Sequence, residues 1–232
     1  MAIYTPQSIT GYNDTPPSDD GAEVASNQGL WATVKSKLND PIKTLAEAID
    51  TQLQTAFGKV AMELISNGTV SSASSLDITD LTTEYRGYIL YYDGLVPASD
   101  TASLHLLVSD DNGATFKTGA SDYAYTFAFQ NDNAVISRNA DPDDTEILLA
   151  TLLGATSDEA ASGTLWIDNP MNSSYRTMFR HNYAQLSSSD LFQSGYGTAQ
   201  YQTAAAIDAI RIIPSTGNIA NMNYSFYGIH AS

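Results

Sequence analysis

The sequence predicts a mainly β protein: a jelly-roll-like antiparallel β-sandwich preceded by an extended N-terminal arm and one or two short α-helices. Three observations predict it. Beyond residue 66 the chain consists of short runs rich in β-branched residues and tyrosine, in which apolar and polar positions alternate. Strands are expected near Leu76–Leu81, Gly87–Tyr92, Leu104–Val108, Thr115–Lys117, Tyr123–Gln130, Glu146–Leu149, Gly163–Ile167, Tyr175–Gln185, Ala206–Ile213 and Asn223–Ile229. Asp/Asn/Gly/Pro turns separate these runs at a spacing of roughly ten residues, the rhythm of a sandwich or jelly roll. Neither feature occurs before residue 66, where proline-punctuated and then helix-patterned sequence takes their place.

Residues 1–25 carry Pro16-Pro17 and Asp19-Asp20-Gly21 and hold too little apolar surface to fold alone, so they are expected to be an extended arm. Ser26 or Asn27 can cap a short helix with Leu30, Trp31, Val34 and Leu38 on one face. A second helix is expected from Asp40 at the N-cap and Pro41 at N1 to Gly58. Its face of Ile42, Leu45, Ile49, Leu53 and Phe57, with Ala46 and Ala56, forms one stripe at helical spacing. A helix of about 17 residues is marginal by itself, so this stripe needs a surface to cover it. The Ser- and Gly-rich segment 66–75 is read as the boundary, giving residues 1–65 as an arm and attachment region and 66–232 as the sandwich.

Composition narrows the function. With 26 acidic and 10 basic residues the net charge is −16, a field that repels nucleic-acid backbones and anionic membranes. It also opposes strongly anionic polysaccharides wherever no local basic patch exists. The absence of cysteine removes disulfides and thiolate metal sites. No apolar run in residues 1–25 suggests a signal peptide, and no stretch reaches membrane-spanning length, so neither secretion by a leader nor membrane insertion is expected.

Candidate sites are few. The stretch SDDNGATF at 109–116 matches Ser-x-Asp-x-Gly-x-Thr-aromatic at Ser109, Asp111, Gly113, Thr115 and Phe116. This resembles the Asp box, a structural motif of sialidase propellers and unrelated β-proteins. The hydroxyls and carboxylate are expected to tie a hairpin, Gly113 to bend it, and Phe116 to plug into the sandwich, with Asp110 and Asn112 facing solvent. The single copy and the five scattered arginines do not make a sialidase. The ligands and distal glutamate of a calcium loop are missing too. The cluster Asp141, Asp143, Asp144 and Glu146 reads as a solvated turn, with a weak calcium site as the alternative. His105, His181 and His230 have no metal-ligand spacing, and His105 sits in an apolar strand. No nucleophile elbow, P-loop or dinucleotide fingerprint occurs, so no catalytic residue and no cofactor is expected. The 14 tyrosines are expected to be mostly core and cross-strand partners. Those facing outward beside Asn and Asp can stack on sugar rings, although the sequence does not assign which they are.

Three longer segments carry a resemblance. YRGYILYYDGLVPASDTASLHLLVSDDNGATF with YAYTFAF, the C-terminal IDAIRIIPSTGNIANMNYSFYGIHAS, and the N-terminal PPSDDGAEVASNQGLWATVKSKLNDPIKTLAEAI are together similar to virion fibre, spike or decoration proteins of tailed phages and gene-transfer agents. The resemblance implies a structural component on the particle surface, anchored to other capsid or tail proteins through residues 1–65. It implies a homo-oligomer, a trimer above all, with the sandwich displayed outward; binding of host-surface polysaccharide is a second expectation, from the many Tyr, Asn and Asp residues of that sandwich. A phage-borne or secreted glycan hydrolase is the alternative.

Overall fold

A computed structural model describes residues 41–45, 47–49, 61–79 and 81–230. The chain divides into two units, Met1–Lys59 and Val60–Ser232. In the first, residues 41–45 and 47–49 are helical, and Lys43 reaches Glu47 one turn on at 3.9 Å. Ile42, Leu45 and Ile49 are all exposed on this helix. Leu53, Phe57 and the arm lie outside the described residues, as does the expected helix around Leu30–Leu38.

The described residues of the second unit form twelve strands in two antiparallel sheets. They are β1 (Met62–Ala73), β2 (Leu76–Ile78), β3 (Tyr85–Pro97), β4 (Ala102–Ser109), β5 (Tyr123–Asn131) and β6 (Ile136–Asp144), followed by β7 (Ile147–Leu153), β8 (Ala161–Asp168), β9 (Met178–Leu186), β10 (Phe192–Tyr201), β11 (Ala209–Pro214) and β12 (Ile219–His230). The larger sheet runs β1-β12-β3-β8-β9-β10-β5-β6 and the smaller β2-β11-β4-β7. With β9 and β10 removed, β3-β8-β5-β6 faces β2-β11-β4-β7, the strand order of a jelly roll. The β9–β10 hairpin widens the larger sheet in its middle, and β1 with β12 extends it at one side.

The sandwich starts earlier than the sequence suggests. Strand β1 begins at Met62 and pairs along β12, so the segment read as a linker is an edge strand. Two further strands, β6 and β10, have no counterpart in the expected set, and the strand expected at 115–117 is absent.

The core is aromatic on the larger sheet and aliphatic on the smaller. Across the larger sheet one inward row reads Tyr92, Gly163, Tyr183, Gly195, Phe129, large and small in strict alternation. The adjacent row reads Leu90, Leu165, His181, Gly197, Phe127. The Tyr183 and Phe127 rings are parallel to within 1° at 5.9 Å. Leu104, Leu106, Ile147, Leu149 and Ile210 close the core from the smaller sheet.

One phenol joins the two sheets. Tyr123 of β5 is fully buried, and its hydroxyl accepts from Val108 N–H of β4 at 2.9 Å while donating to Lys117 O at 3.0 Å. Lys117 N–H donates to Val108 O at 2.9 Å, so Val108 and Lys117 begin a ladder pair. The hydroxyl occupies the other half of that pair. This opens the ladder and sends the chain across to the larger sheet, which explains why no strand forms at 115–117. Burial pushes the Tyr123 phenol well above its ordinary value. Tyr123→Phe strands the Val108 N–H and the Lys117 carbonyl together, and is expected to lower stability by about 1–3 kcal/mol in urea unfolding.

His181 is another buried polar group of the inner face. It is 6% exposed, lies 5.8 Å from the Phe127 ring, and neither ring nitrogen has a partner. Burial holds its pKa down at about 4. The unfolded chain takes this proton near 6.5, so below that pH the unfolded state binds more protons and stability falls until the folded pKa is reached. Between pH 6.5 and 4 His181 is expected to cost about 3 kcal/mol. A His181→Leu variant unfolded in urea across that range should lose correspondingly less stability than the parent.

Candidate functional site

The Asp-box-like turn is a self-contained knot. Ser109 Oγ donates to Asp111 Oδ1 at 2.7 Å and accepts the Gly113 N–H at 3.0 Å. Asp111 in turn accepts the Thr115 N–H at 2.8 Å and the Thr115 hydroxyl at 2.5 Å. Bonds from the Ser109 and Thr115 hydroxyls and the Thr115 amide hold the Asp111 carboxyl down at about 2. Asn112 and Gly113 both adopt positive φ, 57° and 79°. The Asn112 N–H is taken by Asp208 Oδ1 at 2.8 Å. Phe116 is half-buried at the core margin, covered by the Arg211 guanidinium 4.0 Å above its ring. Arg211 is itself held in a fork by Asp77 at 2.7 and 2.6 Å. Asp110 forms an ion pair with Lys117 at 2.5 Å rather than facing solvent unpaired. The turn closes the end of β4 instead of joining neighbouring strands of a hairpin. Every polar group of the motif is consumed in holding the loop.

The acidic cluster is equally occupied. Asp141 Oδ1 accepts the Asp143 N–H at 2.9 Å, Asp144 Oδ1 accepts the Thr145 N–H at 2.6 Å, and Glu146 Oε1 lies 2.6 Å from His105 Nδ1. This segment is the end of edge strand β6, not a free turn, and Pro142 is tolerated there because an edge residue needs no second partner. Among the described residues no group of three His, Asp or Glu side chains is placed to hold a metal ion.

A different surface gathers chemistry. The outward face of the larger sheet bears one register row, Tyr91, Thr164, Asn182, Tyr196, Ala128, Arg138, running from β3 to β6. Tyr196 is 69% and Tyr91 45% exposed. Between them lies a depression of about 640 Å³, which also takes in Ser162, Ser194, Gln130 and Ile136. It shares Ala128, Arg138 and Tyr196 with a second depression of about 530 Å³. That one shares Thr126, Ala140 and Thr198 with a third, of about 600 Å³. The three form a trough along β10 and β5. The span from Ser194 to Gln200 makes it about 20 Å long at the rise of a strand. At its far end Arg180 is forked onto Asp168 at 3.1 and 3.0 Å, 5.4 Å from the Trp166 ring.

Tyr88, Tyr92, Tyr123, Tyr125, Tyr183 and Tyr201 are buried in the core, Tyr125 and Tyr183 also bordering the depressions, whereas Tyr91 and Tyr196 expose their rings along the trough. Sequence reasoning did not find this row, because β6 and β10 carry two of its members and neither reads as a strand. The missed signal is FQSGYGTAQY in β10, whose alternation is present but inverted in size. From Gln193 to Ala199 its inward positions are Gln193, Gly195, Gly197 and Ala199, while Phe192 and Tyr196 face out; bulk turns inward only at Tyr201.

No family model and no curated protein matches the chain. Among solved structures, a marine PL-14 alginate lyase from Aplysia kurodai is similar at 11% identity over 64% of this chain and 70% of that one, with a TM-score of 0.32. An endo-β-1,4-glucuronan lyase from the fungus Trichoderma reesei is similar at 10% identity over 74% of this chain and 86% of the other, with a TM-score of 0.24. Likenesses this low carry no inference about activity.

Proposed function

We propose that this chain is a surface component of a phage-like particle: the N-terminal region attaches it to other virion proteins, and the β-sandwich is displayed outward and binds saccharide in the trough. The observation that carries the binding reading is the outward row of Tyr91, Thr164, Asn182, Tyr196 and Arg138 around an open depression. Flat rings beside hydroxyl, amide and guanidinium groups suit a sugar, which offers an apolar ring face and a rim of hydroxyls. Attachment is supported by the segments that resemble virion proteins, and by Ile42, Leu45 and Ile49, which leave the described turns of the helix with an uncovered apolar stripe. An oligomer, trimeric by the same resemblance, would multiply a weak single-site affinity.

The hydrolase alternative draws less from this surface. A pair of carboxylates is required; none lines the larger depression, and the two that line the third are engaged, Asp141 by the Asp143 N–H and Asp168 by Arg180. A binding role uses the residues that are there.

Glycan-array screening followed by titration should find a host-type saccharide that binds, and Tyr196→Ala should weaken it by about threefold to tenfold, the worth of one aromatic contact. The same variant should unfold at an unchanged temperature, because the ring is exposed. Failure of every glycan at millimolar concentration would remove the saccharide reading. For the anchor, deletion of residues 1–25 is expected to leave the sandwich folded and to abolish incorporation into particles; full occupancy by the truncated chain would overturn it.

A further inference from the structure

The larger depression differs chemically from the chain that makes it. The protein has 26 acidic residues and a net charge of −16, yet no Asp or Glu lines this depression, and its one charged residue is Arg138. Arg138 stands on edge strand β6, opposite Ala128, whose small side chain separates it from Tyr196 in the same row. Arg180 and Arg211 are each forked onto an aspartate. The Arg138 side chain has no hydrogen-bond or ion-pair partner among the described residues; the same holds for Arg86 and Arg176, but neither of those lines the depression. A guanidinium presents five N–H donors in a plane that matches a carboxylate edge. In so acidic a chain a partner is easily supplied, and here the row places Ala128 beside the arginine instead.

From this we infer that the depression takes an acidic sugar, its carboxylate on Arg138 and its ring against Tyr196. The inference rests on the saccharide reading and specifies the ligand class. The overall charge sets a further condition on that ligand. Screening confines each charge to about 8 Å at physiological ionic strength, so the depression is governed by Arg138 while the acidic remainder of the surface repels a dense polyanion. The fitting glycan therefore carries isolated carboxylates spaced by neutral sugars, not a continuous polyuronate.

The test is calorimetric titration of the full chain with two probes, each compared with its carboxyl-reduced form. One probe is an oligosaccharide of alternating glucuronic acid and neutral hexose; the other is sialyllactose, which separates a uronic from a sialic acid. At least one acidic probe is expected to bind about tenfold more tightly than its reduced form, the scale of a charge-assisted hydrogen-bonded pair. Arg138→Gln should erase that preference by lowering the acidic form's affinity far more than the reduced form's, and Arg138→Lys should restore part of it. Raising sodium chloride from about 50 to about 500 mM should shrink the preference as well. Equal binding of acidic and reduced probes would overturn the assignment of Arg138 and leave saccharide binding standing. If neither form of either probe binds while a neutral glycan on the array does, the acidic ligand is wrong. If no glycan binds at all, both readings fall.

Discussion

Everything in the larger sheet depends on rings lying across glycines. A Cβ on Gly195 would run into the Tyr183 ring, one on Gly197 into the His181 ring, and one on Gly163 into Tyr92 and the Asn182 carbonyl. Each of these empty positions is filled by the ring of its cross-strand partner, so the row from Tyr92 to Phe129 alternates large and small throughout and the adjacent row does so from His181 to Phe127. Register follows from this packing. A slip of one residue along β10 would turn Tyr196 inward onto positions already occupied by rings and leave Gly195 and Gly197 outside. The outward placement of Tyr196 is therefore a consequence of the core, and the trough inherits its aromatic from the requirement that its two neighbours be glycine.

The same sheet has two edges, and both are kept from pairing with other chains. Strand β1 is Ser-, Asn- and Gly-rich with little buried besides Val70, and β6 is polar, nearly wholly exposed and interrupted by Pro142. Polar edges with proline resist edge-to-edge addition, and a charge of −16 keeps crowded copies apart. The polar edge also serves the proposed site, because β6 is where Arg138 can stand beside the trough without burying a charge.

Local chemistry made part of this legible in advance. The strands around Tyr88–Tyr92, Leu104–Val108, Leu165–Ile167 and Ile210–Ile213 follow ordinary patterning, with bulk inward or apolar on both faces. The knot of Ser109, Asp111 and Thr115 is equally local, since its bonds span at most four residues. Strands β1, β6 and β10 were illegible for the converse reason. Apart from Val70 and Tyr201, their buried positions are small or polar, and what makes them strands is the neighbour each pairs with. Nor does any local rule reveal that the Tyr123 hydroxyl would divide Val108 from Lys117 and turn an expected hairpin into a crossing between sheets.

By itself, then, the sequence determined the fold class, the closure of the turn after β4 and the acidic surface, all of which follow from residue type and spacing along the chain. The tertiary structure decided which tyrosines face out and that an arginine without a side-chain partner stands beside the trough. It also decided that residues far apart in the chain, Tyr91, Asn182, Tyr196 and Arg138, meet in one row. The reason is physical. A side chain's face on a sheet is set by register, and register here is set by rings seated on the glycines of another strand.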